Sequence, residues 1–307
     1  MGKVFNNPDV VARSWYVACR AKNLRGKKLV SKELGKRKIV AYRGSDGVAR
    51  VVGARCPHLG ADLGLGEVCD TAIRCPYHHW EFGDQGQCRK APGYDVPPKR
   101  KLRVYPTVEK WGLIWFFNGP EIGFPLPDPP SNQTRRTFLL PPQTIESHPH
   151  LVLGNGLDVG HFGALHEALL WDVKQVETSE PFTKRIGFNA RFKGRFQQYM
   201  TGTVTGDVKA SFATTGGSLA WMNIIEPFGF DALFTGSSTK EGFCLTQSIL
   251  FFRSLSPRYI ARCLALTAIL LRNDRRVLDT LEFSGGFASQ DAIFEDYAKS
   301  VEGFKTW

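Results

Sequence analysis

Residues 56–61 read CPHLGA and residues 75–80 read CPYHHW. Each stretch pairs one cysteine with one histidine, Cys56 with His58 and Cys75 with His78. Two such pairs on separate loops are typical of a four-ligand metal site, which could hold structural zinc or a [2Fe-2S] cluster with two thiolates and two imidazoles. Common zinc fingers place both cysteines in one knuckle and both histidines on one helix, so this division between loops favours the cluster.

A second pattern lies further along the chain, where residues 155–166 read NGLDVGHFGALH. It places His161 and His166, two of only seven histidines in the chain, on one predicted helix with Asp158. Residues three apart share a helix face, so Asn155, Asp158 and His161 can line up. Because His166 lies about 140° further round a regular helix, both imidazoles reach one metal ion only if the segment bends. Gly160 and Gly163 are placed to allow that bend.

The two patterns, in this order, resemble those of the Rieske non-haem iron oxygenases, in their oxygenase alpha subunits. The family's C-x-x-H spacing selects His78 rather than His79 as the cluster ligand. Cys69 and Cys88 have no histidine at matching spacing, and we do not expect them to be ligands. The D-x-x-H-x4-H segment implies that His161 and His166 bind a mononuclear Fe(II).

The resemblance also implies an α+β fold with two domains. An all-β Rieske [2Fe-2S] domain is expected at residues 14–120. A catalytic domain, with a large antiparallel sheet flanked by helices, is expected at residues 121–307. Where the family often has Glu before the Asn, Gly154 stands here, a change that removes a polar neighbour but no ligand.

Non-haem Fe(II) that activates oxygen usually takes two histidines and one carboxylate, so a third ligand is needed. We predict Asp291, which shares a helix face with Phe294 and Ala298 and follows Gln290 as in the resembled family. An acid in the first turn of a helix is also favoured by the dipole alone. The rival is Asp274, on the apolar face of the preceding predicted helix, although Arg275 beside it could pair with it.

Local patterns agree with this division. A hairpin turn at Asp46-Gly47 joins two β-prone runs, and a Pro-rich connector at residues 124–130 marks the boundary between domains. Alternating aromatic runs across residues 184–254 predict the large sheet. The individual predictions are strands at residues 38–42, 48–54, 111–117, 191–199, 218–225 and 246–252, and helices at 155–171, 260–283 and 289–301.

Composition limits the function classes. Hydrophobic residues make up 42% and charged residues 22% of the chain. These fractions exclude wholesale disorder. No apolar stretch approaches the roughly 20 residues that span a bilayer. The start of the chain has no apolar signal segment, so we expect a cytoplasmic protein whose seven cysteines form no disulfides.

The net charge of +11 is carried by residues 1–120. This asymmetry could indicate nucleic-acid binding, a basic soluble surface or a docking face for an acidic protein. No nucleic-acid-binding motif accompanies it, and we expect no nucleic-acid partner. The resemblance favours docking of a ferredoxin or flavin reductase, because the chain carries no G-x-G-x-x-G motif to bind NAD(P)H itself.

The resemblance implies insertion of oxygen from O2 into an organic substrate, with electrons from NAD(P)H arriving through that reductase. We predict monooxygenation of a bulky apolar molecule, with Phe162 and Leu165 in the substrate pocket. Arene cis-dihydroxylation is the alternative within the class, and a Rieske electron carrier or a zinc-binding module are alternatives outside it. In the family, the residue matching Asp158 joins an iron-ligand histidine to a cluster-ligand histidine of the next subunit, which implies a homotrimer.

Overall fold

The computed structural model describes residues 4–194 and 206–307. Its described residues divide into two compact units. The N-terminal unit contains residues 13–125, 239–241 and 306–307, and the C-terminal unit contains the described residues of 1–12, 126–238 and 242–305. The main division, between residues 125 and 126, lies inside the Pro-rich connector, slightly beyond the boundary expected from the sequence.

The N-terminal unit is built from short antiparallel strands. Its sheets have the orders β1-β11-β10, β2-β3-β4-β9 and β5-β6-β7-β8. Two 3-10 turns, Ala21–Lys27 and Leu63–Leu65, interrupt them. The strands are β1 (Trp15–Arg20), β2 (Val30–Leu34), β3 (Arg37–Arg43), β4 (Ala49–Gly53), β5 (Glu67–Cys69), β6 (Ala72–Arg74), β7 (Glu81–Phe82), β8 (Cys88–Lys90), β9 (Val104–Tyr105), β10 (Thr107–Lys110) and β11 (Leu113–Phe117).

The β3–β4 hairpin forms where the sequence predicts it. Arg43 pairs with Ala49 across the turn, Gly47 adopts a φ of 77°, and the Asp46 carboxylate accepts a hydrogen bond from the Val48 amide. Only glycine enters that backbone region without strain, so the turn residue fixes the register of both strands.

The C-terminal unit contains a large antiparallel sheet covered on one face by helices. Within the described residues, nine strands take part, seven of them in the order β12-β20-β18-β17-β16-β15-β14. The strands are β12 (Arg136–Leu139), β13 (Gln143–Ile145), β14 (Ala168–Gln175), β15 (Thr183–Phe192), β16 (Asp207–Thr215), β17 (Leu219–Glu226), β18 (Phe230–Ser238), β19 (Cys244–Thr246) and β20 (Ile249–Phe252). The helices are α1 (Pro149–Gly154), α2 (Val159–His166), α3 (Pro257–Leu278) and α4 (Ala292–Glu302), with 3-10 turns at Asn155–Leu157 and Ser289–Asp291.

Strand alternation sends one set of side chains toward the helices. Ala220 and Ile224 of β17, and Phe230 and Ala232 of β18, share a buried cluster with residues of all four helices. That cluster is the main core of the unit and holds α2 and α3 over the sheet. No helix of the described chain is long and apolar enough to cross a membrane.

Three predicted elements differ from the structure. The helix expected at 155–171 ends at His166, because Glu167 adopts a left-handed φ of 51° and the chain then pairs with β15 as β14. The strand expected at 246–252 is divided into β19 and β20, and the helix expected at 260–283 ends at Leu278. The C-terminal part of the strand expected at 191–199 lies outside the described residues.

Close packing explains the glycine before Asn155. A Cβ atom on Gly154 would lie 2.5 Å from Cε1 of Tyr297 and 2.8 Å from Cε2 of Phe294, both on α4. No side chain fits there unless α1 and α4 separate, so the position that often carries Glu in the resembled family must be glycine in this chain.

We therefore predict that Gly154→Ala lowers the free energy of unfolding by about 1–3 kcal/mol through overpacking against the two rings. Gly160→Ala is the matched control, because its Cβ would meet no atom closer than 3.4 Å. Removing a helical glycine there should stabilise by about 0.5–1 kcal/mol. Urea unfolding midpoints measure both changes. Equal midpoints for the two variants would contradict the packing argument.

Candidate metal centres

The two Cys/His loops of the N-terminal unit have the same backbone hydrogen bonds. The Cys56 amide donates to the Ala61 carbonyl at 2.9 Å, and the Cys75 amide donates to the Trp80 carbonyl at 2.9 Å. In return, the amides of Gly60 and of His79 donate to the carbonyls of Cys56 and Cys75. The hydrogen bonds therefore close two loops of equal length. The histidine is two residues after the cysteine in the first loop and three residues after it in the second.

Each loop turns through a residue with positive φ, four positions after its cysteine. These residues are Gly60 at 79° and His79 at 56°. The turn leaves His79 exposed and brings the ring of His78 within 4.8 Å of the ring of His58, centroid to centroid. Trp80 stacks on His58 with ring centroids 4.2 Å apart and so packs beside the site.

The four side chains have the burial and hydrogen-bonding state that a cluster requires. Cys56 and Cys75 are buried and unpaired by a disulfide, and burial raises the pKa of Cys56 to about 11. Neither His58 nor His78 uses a ring nitrogen in a hydrogen bond within the described part of the chain. Two thiols and two free imidazoles on facing loops fit a [2Fe-2S] cluster, whose positive irons would stabilise the thiolates that burial alone disfavours.

A second candidate site lies between α2 and α3 of the C-terminal unit. Nε2 of His166 lies 2.9 Å from Oδ1 of Asp274, and Nε2 of His161 lies 3.7 Å from the same oxygen. Among the described residues, this trio alone brings three or more His, Cys, Asp or Glu ligand atoms within 4.8 Å of one another. The side chains of His161 and His166 are 8% and 2% exposed, and that of Asp274 is 17% exposed.

The hydrogen bonds of His161 leave a lone pair directed toward Asp274. Nδ1 of His161 lies against the Asp158 carbonyl, which can only accept, so Nδ1 carries the proton and Nε2 does not. Burial lowers the pKa of His161, against the opposing charge of Asp274. Oδ1 of Asp274 has no hydrogen-bond partner in the described structure, despite its proximity to both rings. The lone pair of His161 and the carboxylate face one another without a proton between them, and Nε2 of His166 lies 2.9 Å from the same oxygen, an arrangement that fits a divalent cation such as Fe(II).

The predicted bend in the histidine helix is wrong. α2 is a regular helix through Gly160 and Gly163, neither of which has a positive φ. Both imidazoles instead reach the same carboxylate, supplied from α3. The side-chain amide of Asn273 donates to the Leu165 carbonyl at 3.0 Å, which ties the end of α2 to the turn that carries Asp274.

The sequence predicts Asp291 as the third ligand, but in the structure Asp274, and not Asp291, lies beside the two histidines. The Asp291 carboxylate accepts a hydrogen bond from the Ala288 amide at 2.8 Å and so caps the turn that precedes α4. Asp274 instead lies on the buried face of α3, while Arg275 turns away and donates to Asp279 at 3.0 Å. The pairing of Asp274 with Arg275 that weakened its candidacy in the sequence is therefore absent.

Asn155 and Asp158 both lie beside His161. Nδ2 of Asn155 is 3.4 Å from Nε2 of His161, on the side of the ring that faces Asp274. Asp158 is the N-cap of α2, where its Oδ1 accepts from the Gly160 amide at 3.1 Å. Its link to His161 therefore runs through the backbone carbonyl, and the carboxylate oxygen Oδ2 has no partner among the described residues.

A cavity of about 110 Å³ opens beside the trio, between the helices and the sheet. Phe162 lines it, as predicted, with its ring 4.2 Å from that of His161. Leu165 is not among the described residues that line it, so its predicted pocket role is wrong: only its carbonyl is used, as the acceptor for Asn273. The cavity wall that the sheet forms was not identified from the sequence, because the residues of this wall lie on different strands and are far apart along the chain. Much of that wall is Phe212, Met222, Ile224, Phe230, Phe234, Thr246 and Ser248.

Comparisons with known proteins agree with this geometry. A family model described as Rieske [2Fe-2S] domain matches residues 14–106. The chain is 34% identical over 173 residues to cholesterol 7-desaturase of Bombyx mori, covering 53% of this chain and 37% of that protein. It is 38% identical over 127 residues to aminopyrrolnitrin oxygenase of Pseudomonas fluorescens, covering 38% and 35%. The chain thus spans just over a third of the length of each.

The fold is shared over almost the whole chain with a solved structure. Dicamba monooxygenase bound to 3,6-dichlorosalicylic acid superposes with a TM-score of 0.76 over 95% of this chain and 96% of that chain, at 20% sequence identity. The likeness therefore extends through the C-terminal unit, which the family model does not cover.

We predict that Asp274→Asn weakens Co²⁺ binding at the trio by more than about tenfold, because it removes the only negative ligand; losing even an outer partner of a metal ligand costs about 10–100-fold. Asp291→Asn is the control and should bind Co²⁺ like the unaltered protein. The visible spectrum of Co²⁺, titrated into protein depleted of its mononuclear metal, reports the affinity. Loss of Co²⁺ binding in the Asp291 variant alone would restore Asp291 as the ligand.

Proposed function

We propose that this chain is a Rieske non-haem iron oxygenase, which oxidises an apolar organic substrate with O2 as the oxygenase component of a multi-protein system. The observation that carries the proposal is the trio of His161, His166 and Asp274 at the wall of a largely apolar cavity. A Rieske electron carrier would have no use for that trio, and a zinc-binding module would need neither the trio nor the cavity.

The chain has a set of candidate ligands for each of the two groups that this chemistry requires. Cys56, His58, Cys75 and His78 would hold the [2Fe-2S] cluster, and the trio would hold Fe(II). When bound, the cluster supplies electrons one at a time, and the Fe(II), with two histidines and one carboxylate, leaves positions at which O2 is reduced.

The protein's own residues position and shield the reacting centre. The Asp158 carbonyl orients the His161 ring, and Asn273 holds the end of α2 against α3. Phe162 packs beside the His161 ring, and the apolar sheet face excludes water from the space where substrate binds. Asn155 places an amide near Nε2 of His161, close enough to bind a small polar group held beside the trio.

Monooxygenation is the reaction that we favour over arene cis-dihydroxylation. The similar proteins include 3-ketosteroid-9-alpha-monooxygenase of Rhodococcus rhodochrous and the monooxygenase that shares the fold. Their names support one-oxygen chemistry on a large organic molecule, and they do not identify the substrate of this chain.

Electrons are proposed to come from NAD(P)H through a separate ferredoxin or flavin reductase that docks on the basic N-terminal unit. A homotrimer in the cytoplasm is the proposed working form. Three apolar side chains on loops of the N-terminal unit support the proposal that these loops are buried in an assembly. Leu59, Tyr77 and Val96 are 66%, 64% and 78% exposed in the single chain. The seven cysteines, which form no disulfide among the described residues, suit a reducing compartment.

We predict that the purified protein is red-brown and carries two cluster irons and two acid-labile sulfides per chain, plus one further iron. Cys56→Ser should remove the cluster spectrum, because a serine oxygen is a poor substitute for a soft thiolate. His161→Ala should keep that spectrum and lose the further iron and the oxidised product. A colourless protein with stoichiometric zinc, or full turnover by the His161 variant, would refute the proposal.

Asp158 is proposed to connect the two centres across a subunit boundary, through the carboxylate oxygen that has no partner within the described chain. Asp158→Asn tests this cleanly. Asparagine caps a helix as well as aspartate does, and the carbonyl that orients His161 belongs to the backbone, so both local roles survive. Only the negative charge and one acceptor oxygen are removed.

The expected result is retained mononuclear iron and an unchanged oligomer, with product formation and reoxidation of the pre-reduced cluster slowed by at least about a hundredfold. Single-turnover absorbance with substrate and O2 measures the reoxidation. Normal reoxidation in this variant would reduce Asp158 to a helix cap, and loss of the iron would make it a positioning residue for His161.

A further inference from the structure

One strand of the cavity wall combines apolar and hydroxyl side chains. Residues 244–252 run antiparallel to β18, with Gly236 opposite Thr246 and Ala232 opposite Leu250. The same register places Ser248 opposite Phe234, although no strand is assigned at that residue. Alternate residues of this run face the helices, because side chains alternate along an extended chain. The row on the helix side of the sheet is therefore Cys244, Thr246, Ser248, Leu250 and Phe252.

Two hydroxyl groups interrupt this apolar row, and both residues line the cavity. The Ser248 hydroxyl has no hydrogen-bond partner among the described residues, whereas the Ser248 carbonyl accepts from the Leu140 amide at 3.0 Å. The Thr246 hydroxyl donates to the Gln143 carbonyl at 3.4 Å, which leaves its lone pairs available. The Cα atoms of Thr246 and Ser248 are about 7 Å apart along the strand.

The third side-chain hydroxyl at the cavity already makes a hydrogen bond within its own helix. Thr267 of α3 donates to the Cys263 carbonyl of the preceding helical turn at 2.8 Å. It satisfies its own hydrogen bond and so contributes mainly its methyl group to the wall. The free hydroxyl groups of the wall opposite the helices are thus those of Ser248 and Thr246, and the side-chain amide of Gln143, an exposed residue, is the other polar group on this side.

The cavity offers no strong counter-charge at this wall. Its charged lining residues in the described structure, apart from the histidines, are Asp274 and Arg275, both on α3. The Arg275 side chain is 46% exposed and is paired with Asp279, so its charge is compensated and hydrated. A carboxylate bound at the strand of Ser248 would lose its hydration without gaining a cationic side chain, which is costly, whereas a hydroxyl or carbonyl there would exchange water for a protein partner.

We propose that the substrate is an uncharged, largely hydrocarbon molecule whose hydroxyl or carbonyl group is recognised by Ser248, with Thr246 beside it. The inference rests on the proposed oxygenase function, because it takes this cavity as the substrate site. Ser248 determines specificity by donating to or accepting from that group, and the absence of a free cation at the described wall rejects the corresponding anion.

The test compares naphthalene, 2-naphthol and 2-naphthoate, which share one ring system and differ in a single group. Dissociation constants are measured by equilibrium dialysis with the iron-loaded protein under argon, so that no turnover is required. We expect 2-naphthol to bind about fivefold tighter than naphthalene, as one neutral hydrogen bond allows, and at least about tenfold tighter than 2-naphthoate.

Ser248→Ala should bring the affinities for 2-naphthol and naphthalene to within about twofold of each other while leaving naphthalene binding unchanged. Thr267→Val is the matched control, because it removes a hydroxyl that is already satisfied and should keep the fivefold preference. If Ser248→Ala does not fold, Ser248→Cys replaces the hydroxyl with a somewhat larger thiol that is a weaker donor, and it should lose the preference in the same way.

Three results would overturn the inference: tighter binding of 2-naphthoate than of 2-naphthol, an unchanged preference in the Ser248 variant, or no binding of either uncharged probe at millimolar concentration. Failure of the proposed function gives a different result. A protein that shows the Ser248-dependent preference but lacks the third iron or forms no oxidised product from any bound probe would refute the oxygenase proposal and leave this inference standing.

Discussion

The C-terminal unit depends on the burial of one carboxylate beside two imidazoles. Asp274 is largely removed from water, and the Oδ1 atom that faces both rings accepts no hydrogen bond within the described residues. An isolated buried charge costs several kcal/mol, which neighbouring cations or protons must offset. Because the Asp158 carbonyl holds the proton of His161 on the far nitrogen, a proton on His166 or a metal cation must supply this compensation. The break between α1 and α2 and the tie from Asn273 to Leu165 both serve to keep these three side chains together.

The N-terminal unit also brings candidate metal ligands together, but it does so with loops instead of helices. Its ligands lie on loops, and the loops are held in shape by backbone hydrogen bonds repeated around Cys56 and Cys75. Rigid backbone then presents two buried thiols and two unpaired imidazoles without help from a long helix. The ring nitrogens of His58 and His78 and the Oδ1 atom of Asp274 have no hydrogen-bond partner in the described chain, unlike an ordinary buried histidine such as His150, whose ring accepts a hydrogen bond from the Asn6 amide.

Sequence patterns predicted what is local and missed what is assembled from distant segments. The cluster ligands and the histidine pair each lie within short motifs, and the turn at Asp46-Gly47 is set by its own residues. Asp274 and His166 lie on different helices, with strands β14 to β20 between them in the sequence, and nothing in the residues around Asp274 distinguishes a ligand from a buried partner of Arg275. Only the packing of α3 against α2 shows that the carboxylate faces the histidines and that Arg275 faces Asp279. The sheet wall of the cavity was missed for the same reason, since Phe234 and Ser248 meet only through strand pairing.

The glycines in and beside the histidine motif, residues 154–166, show that close packing as well as metal binding determines which residues the motif contains. A bend was the natural reason for glycines near two histidines five residues apart, yet Gly160 and Gly163 lie in regular helix with room for a side chain. The glycines that the fold cannot replace flank Asn155 instead. A Cβ on Gly154 would press into Tyr297, and one on Gly156 would lie 2.5 Å from the ring of Phe212. Phe212 also lines the cavity, so a side chain at Gly156 would displace one of the cavity's lining rings. The spacing of the motif is therefore fixed jointly by the metal ligands and by the aromatic rings beneath them.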